Sequence, residues 1–131
     1  MDISIIVRLL LSAFLGALIG LERQSHRKSS GIRTMALISL GSAIFSIISL
    51  SFPGADPTRV IAQIVSGIGF LGAGIIFKSG MNVYGLTSAA TIWCTAAVGT
   101  LIGIGKYQES IIVTFIILIV NSLINKKKIN E

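Results

Sequence analysis

From Val60 to Phe77 the chain carries no charged side chain, and no Asp or Glu occurs between Asp56 and Glu109. A segment of that length and apolarity fits a transmembrane helix, because the roughly 30 Å hydrocarbon core is crossed by about 20 mostly apolar helical residues. Four more such runs divide the rest of the chain, so that the candidate spans are Ile3 to Leu21, Thr34 to Phe52, Val60 to Phe77, Leu86 to Ile104 and Ser110 to Asn125. In lipid every backbone N–H and C=O must be satisfied within the protein, which makes each run a helix. Hydrophobic residues make up 53% of the 131 and charged residues 12%, and the mean hydropathy is +0.88, too apolar for a soluble domain of this size. The expected fold is an all-α integral membrane protein, one bundle of five transmembrane helices over residues 1–131. The fifth span is the shortest, and Lys126, Lys127 and Lys128 extend its reach by snorkelling.

The net charge of +6 follows topology. Arg23, Arg27, Lys28 and Arg33 lie between the first two spans, Lys78 between the third and fourth, and Lys126 to Lys128 after the fifth. Those residues fall on one side, Arg59 and Lys106 fall on the other, and Arg8 lies within the first span. The positive-inside rule then places the amino terminus outside and the carboxyl terminus in the cytoplasm. The same charge favours anionic headgroups and gives no reason to invoke nucleic acid. The first span follows Met1-Asp2 without a basic leader and holds Arg8, so it reads as a retained anchor. Cys94 is the only cysteine, which excludes an intramolecular disulfide.

Within the third run, Gly67-Ile68-Gly69-Phe70-Leu71-Gly72 matches a dinucleotide fingerprint by letter. It has no strand before it and no acidic residue about 20 positions later to hold a ribose. The alternative is close helix packing through small residues, on which association in lipid depends. Gly16 and Gly20 form a GxxxG pair in the first span, and Ser66, Gly67, Gly69, Gly72 and Gly74 strip bulk from the third. The third span aligns Ala62, Ser66, Gly69 and Ala73, and Trp93 of the fourth is expected to fill space against it. These glycine faces also suggest a homodimer or small homo-oligomer. The fifth span is nearly continuous Ile, Val, Leu and Phe interrupted by Asn121, and reads as peripheral.

Ser39, Ser42, Ser46 and Ser49 share one face of the second span, and Ser88, Thr91, Thr95 and Gly99 one face of the fourth. Such hydroxyls serve helix packing, and a water-filled path uses the same groups. Ser42, Ser46, Thr87, Ser88, Thr91 and Thr95 are the candidate path. No Asp, Glu, Lys or His lies within the core of any span, whereas ion carriers depend on such groups and Mg²⁺ favours carboxylate and water oxygens. A stand-alone Mg²⁺ carrier is disfavoured on that ground, while an oligomeric pore for a hydrated ion stays open. No catalytic triad, metal-ligand spacing or phosphate loop is present, so the reading is non-enzymatic, with no cofactor and no metal site.

The remaining polar groups gather at the two membrane faces. Glu22 and Arg23 end the first span and Arg33 and Thr34 open the second, so Glu22 is expected to pair with Arg33. On the other face Asp56 precedes a helix whose first turns carry Arg59 and Gln63; Asp suits a helix start, and Arg59 is placed to pair with it. These clusters are either caps and interfacial anchors or a surface for a partner or polar solute. His26, in the basic loop with no Cys or second His nearby, reads as solvated.

Gly-Leu-Glu-Arg at 20 to 23, Gly-Ile-Arg-Thr at 31 to 34, Ser-Gly-Ile-Gly-Phe-Leu-Gly-Ala-Gly at 66 to 74 and Gly-Leu-Thr-Ser-Ala-Ala-Thr-Ile-Trp at 85 to 93 together resemble the MgtC/SapB family of bacterial membrane proteins. The likeness runs from about Ala13 to Tyr107, and Asp56, Arg59 and Gln63 fall where that pattern has Asp, Arg and Gln. It implies five helices in the bacterial inner membrane and a link to survival under Mg²⁺ limitation and to virulence. It also implies modulation of another membrane complex, such as the ATP synthase, or transport. Longer members continue into a soluble cytoplasmic domain, whereas this sequence stops at Glu131, so the transmembrane domain alone is expected.

Overall fold

The computed structural model describes residues 3–125; the snorkelling lysines 126 to 128 lie outside them. Among the described residues five helices are present: α1 (Ile3–Ser25), α2 (Ile32–Leu50), α3 (Pro57–Ala73), α4 (Leu86–Gly103) and α5 (Tyr107–Asn125). Between α3 and α4 stands a small antiparallel hairpin of β1 (Phe77–Ser79) and β2 (Asn82–Tyr84). α1, α2 and α4 are each long and apolar enough to cross a membrane.

The helix ends depart from expectation where polar residues prove to be good helix formers. α1 continues past Leu21 through Glu22, Arg23, Gln24 and Ser25. It closes when Arg27 turns left-handed, with Lys28 N–H bonded to the Arg23 carbonyl and Arg27 N–H to that of Gln24, a Schellman closure. The Gln24 side chain then accepts from the Ile32 N–H at 3.2 Å, supplying the start of α2 with the cap that Gly31 lacks. α4 closes in the same manner at Gly105, whose φ of 87° suits only glycine comfortably.

The third helix ends at Ala73, four residues short of the expected Phe77. Gly69, Gly72 and Gly74 weaken its last turns. Beyond them, Phe77 and Tyr84 face each other across the hairpin and stack at 5.1 Å. Aromatic and β-branched residues flanking a glycine turn favour that arrangement.

α4 is the central element and touches each of the other four helices. The glycine-rich third helix packs on α2 and α4 and buries only Ile64 and Gly72. α5 is peripheral, as its composition suggested, and packs on α4 and α1. Leu15, Ile19, Met35, Ile92, Val98 and Ile102 anchor the core. The outer surface is strongly apolar: Phe14, Phe45, Phe70, Trp93 and Phe115 are all exposed. Trp93, 55% exposed, therefore faces outward rather than filling space against α3.

Candidate functional site

Two glycine pairs bring the first, second and fourth helices to backbone contact. A Cβ at Gly16 would stand 2.5 Å from the Met35 carbonyl oxygen, and one at Gly20 equally close to that of Gly31, so the GxxxG of α1 is the seam against α2. The second pair, Gly99 and Gly103, lies on α4. A Cβ on Gly99 would collide with the Ser39 carbonyl oxygen, and one on Gly103 would come within 2.7 Å of that of Ala43. Gly103 had drawn no attention in the sequence, although Gly99-x-x-x-Gly103 is itself a GxxxG.

The third-helix residues are disposed differently. Gly72 faces Ala89 of α4, with 3.4 Å to its carbonyl from a built Cβ, and Gly74 terminates the helix. Gly67 and Gly69 meet nothing within 4 Å, and Ser66 is exposed. The face of Ala62, Ser66, Gly69 and Ala73 is thus exposed along its length.

Ser39, Ser42, Ser46 and Ser49 are buried on the inner face of α2, and Ser88, Thr91 and Thr95 on that of α4. Most bond to carbonyls of their own helix: Ser46 to Ser42 at 2.8 Å, Ser49 to Ser46 at 2.6 Å, Thr91 to Thr87 and Thr95 to Thr91 at 2.7 Å. Asn121 of α5 donates to Thr91 Oγ1 at 3.1 Å, tying the peripheral helix to the central one. Ser39 Oγ, fully enclosed, has no hydrogen-bond partner among the described residues. Neither of the two grooves beside them brings the six expected path residues together. Ser42 borders a groove between α2 and α3, Thr87 and Thr91 border one of about 340 Å³ between α4 and α5, and Ser46, Ser88 and Thr95 line neither.

Two arginines of α1 clamp the two ends of the antiparallel α4. Arg23 is completely buried and donates from Nη2 to Ser88 Oγ at 2.9 Å. Near the other end, Arg8 donates from Nη1 to the Gly103 carbonyl at 2.8 Å and from Nε to the Tyr107 hydroxyl at 3.1 Å. A cation at a helix C-terminus meets the negative end of its dipole. The Glu22 carboxylate lies 3.7 Å from Arg23 Nη1 and 3.0 Å from His26 Nδ1. These neighbours stand where Arg33 was expected, and Arg33 and Thr34 are exposed. His26 therefore has a carboxylate neighbour instead of solvent alone.

At the opposite end Asp56 caps α3, accepting from Thr58 N–H at 3.0 Å and Thr58 Oγ1 at 2.6 Å, with Pro57 in the first helical turn. The hydroxyl and amide of Thr58 hold its carboxyl below the ordinary aspartate range, and the charge of Arg59 adds to this. Arg59 acts through its field and forms no ion pair with Asp56 within 4.0 Å. Gln63 borders the α2–α3 groove. Among the described residues no three His, Cys, Asp or Glu side chains converge as metal ligands would.

The MgtC family model matches residues 9–129. Protein MgtC of Salmonella typhimurium is 48% identical over 128 residues, covering 96% of this chain and 55% of that protein. Protein MgtC of Brucella abortus is 54% identical over 111 residues, 84% of this chain and 47% of that protein. The chain thus spans about half the length of the curated relatives it matches. No solved structure matches.

Proposed function

This chain belongs to the MgtC family, and on that premise we propose that it is a non-enzymatic protein of the bacterial inner membrane that modulates another membrane complex, such as the ATP synthase, or the membrane's ion balance. Adaptation to low Mg²⁺ and virulence are the settings in which that modulation acts. All five helices cross the bilayer, with the amino terminus outside and the carboxyl terminus cytoplasmic. The antiparallel packing of α1 on α4 supports this, since it gathers Arg27, Lys28, Arg33 and Lys78 at one end of the bundle and leaves Arg59 and Lys106 at the other.

The observation that carries the reading is a contrast between two kinds of small-residue surface. Of the hydroxyls suited to a solute path, Ser46, Thr91 and Thr95 are bonded to their own helices and Ser88 to Arg23, while Ser42 borders one groove and Thr87 and Thr91 another. The Ala62, Ser66, Gly69 and Ala73 face, by contrast, stays exposed within one chain and offers close backbone approach to a second helix. A homodimer or a helix of the partner complex uses it. Transport of Mg²⁺ or another small solute is the competing reading, carried by Ser42 and Thr91 at the groove edges.

Reconstitution separates them. Purified protein in liposomes is expected to pass no Mg²⁺, and a second membrane complex is expected to co-purify with the wild type and to be lost from Gly69→Leu, at a position where an added Cβ meets no atom of its own chain within 4 Å. Flux that disappears in Ser42→Ala or Thr91→Ala would establish transport instead.

A further inference from the structure

A groove of about 550 Å³ runs between α2 and α3, open to the side of the bundle. Leu37, Phe45, Val60, Ile64, Ile68 and Leu71 supply its apolar walls. Its width comes from two glycines, Gly41 on one wall and Gly67 on the other, neither of which has any atom within 4 Å of a built Cβ. An apolar hollow of this size facing a bilayer is filled by hydrocarbon, since an empty one forfeits the dispersion contacts of its lining.

Length and charge identify the occupant. On α2 the groove extends from Leu37 to Phe45 and on α3 from Val60 to Leu71, spans of about 12 and 17 Å at the helical rise. That is one leaflet, about half of the roughly 30 Å core, and too short to seat a second transmembrane helix along its length. Arg33, Leu37, Gly41 and Phe45 follow one another at four-residue spacing on a single ridge of α2, so Arg33 stands one turn beyond the groove at its end. Arg33 is exposed and forms no ion pair among the described residues, and Lys78 is exposed on the hairpin that follows Leu71 at the same end. A cation at the mouth of an acyl-sized groove complements a lipid phosphate.

We propose that the α2–α3 groove is a binding site for one anionic phospholipid, with an acyl chain lying between Gly41 and Gly67 and the phosphate held by Arg33. The site rests on residence in the membrane, not on the modulating role, and it survives if that role fails.

Native mass spectrometry of the protein in dodecylmaltoside micelles carrying equal phosphatidylglycerol and phosphatidylcholine tests it. The wild type is expected to retain phosphatidylglycerol in about five-fold preference, the contribution of one basic side chain near an anionic lipid. Arg33→Gln should still retain lipid but without preference, and Gly41→Leu with Gly67→Leu should retain about ten-fold less of either lipid at unchanged helical content. Lipid retention indifferent to the leucines, or a preference indifferent to Arg33→Gln, overturns the assignment. So does a wild type free of lipid whose dimer is lost on filling the groove, which would give the groove to a second copy of the chain.

Discussion

The guanidinium of Arg23, wholly enclosed at the end of α1, is held by the hydroxyl of Ser88 in the first turn of α4 at 2.9 Å. Removing one partner of a buried cation is costly, and a hydrogen bond to a charged group contributes about 1.5–3 kcal/mol. Ser88→Ala is expected to lower stability by that amount in a detergent unfolding titration. Arg23→Lys should not restore a Ser88-dependent stability, because a single ammonium cannot reproduce the guanidinium's fixed fork. A double-mutant cycle between positions 23 and 88 measures the coupling; a value near zero would remove Ser88 as the anchor.

The enclosed serine of α2 predicts the opposite sign. Ser39 Oγ has no partner among the described residues, and a buried unsatisfied hydroxyl costs about 1–3 kcal/mol of desolvation. Ser39→Ala is expected to raise stability, whereas Ser88→Ala lowers it. The same unfolding titration reads both, and a loss in Ser39→Ala would mean that the hydroxyl is satisfied after all.

Glycines divide along the same line of argument. A methyl at Gly99 collides with backbone at Ser39, which cannot yield as a side-chain tip can, so Gly99→Ala is expected to cost about 1–3 kcal/mol. Gly69→Ala meets nothing within 4 Å and, by removing a weak helix former, should raise the stability of the single chain by about 0.5–1 kcal/mol. If the two variants unfold alike, the close approach of α2 and α4 is not what orders the bundle.

That contrast also marks how far the sequence was readable. The helices, the Gly16 and Gly20 seam, the Asp56 cap and the peripheral α5 follow from hydropathy, spacing and end chemistry, which act locally. Which glycines meet a neighbour does not, because a GxxxG pattern states that close approach is possible and leaves its partner unspecified. Gly67 and Gly69 are as small as Gly99 and Gly103, yet only the latter pair lies against backbone. Arg8 was equally opaque: its value lies in reaching Gly103 and Tyr107, far away in the chain, and nothing near position 8 announces them. In place of the ion pair expected with Arg33, the Glu22 carboxylate has Arg23 and His26 as its neighbours.

The cap of α3 gives a pH dependence whose sign can be worked out. Thr58, through its hydroxyl and then its amide, lowers the pKa of Asp56 from the ordinary 3.8. A carboxyl that ionises more readily in the folded state stabilises that state fully above the unfolded value, and the contribution is lost as pH falls through the lower native value. Protection of the Thr58 amide from hydrogen exchange, corrected for the intrinsic rate, is therefore expected to hold from neutral pH down toward pH 4 and to decline below it. Asp56→Asn keeps a side-chain acceptor for the helix start but has nothing to titrate, so its protection should stay flat across that range. Loss of the decline in Asp56→Asn, with the decline intact in Arg59→Gln, would attribute it to the Thr58 bonds rather than to the neighbouring charge; a decline that persists in Asp56→Asn would show that another group controls the start of α3.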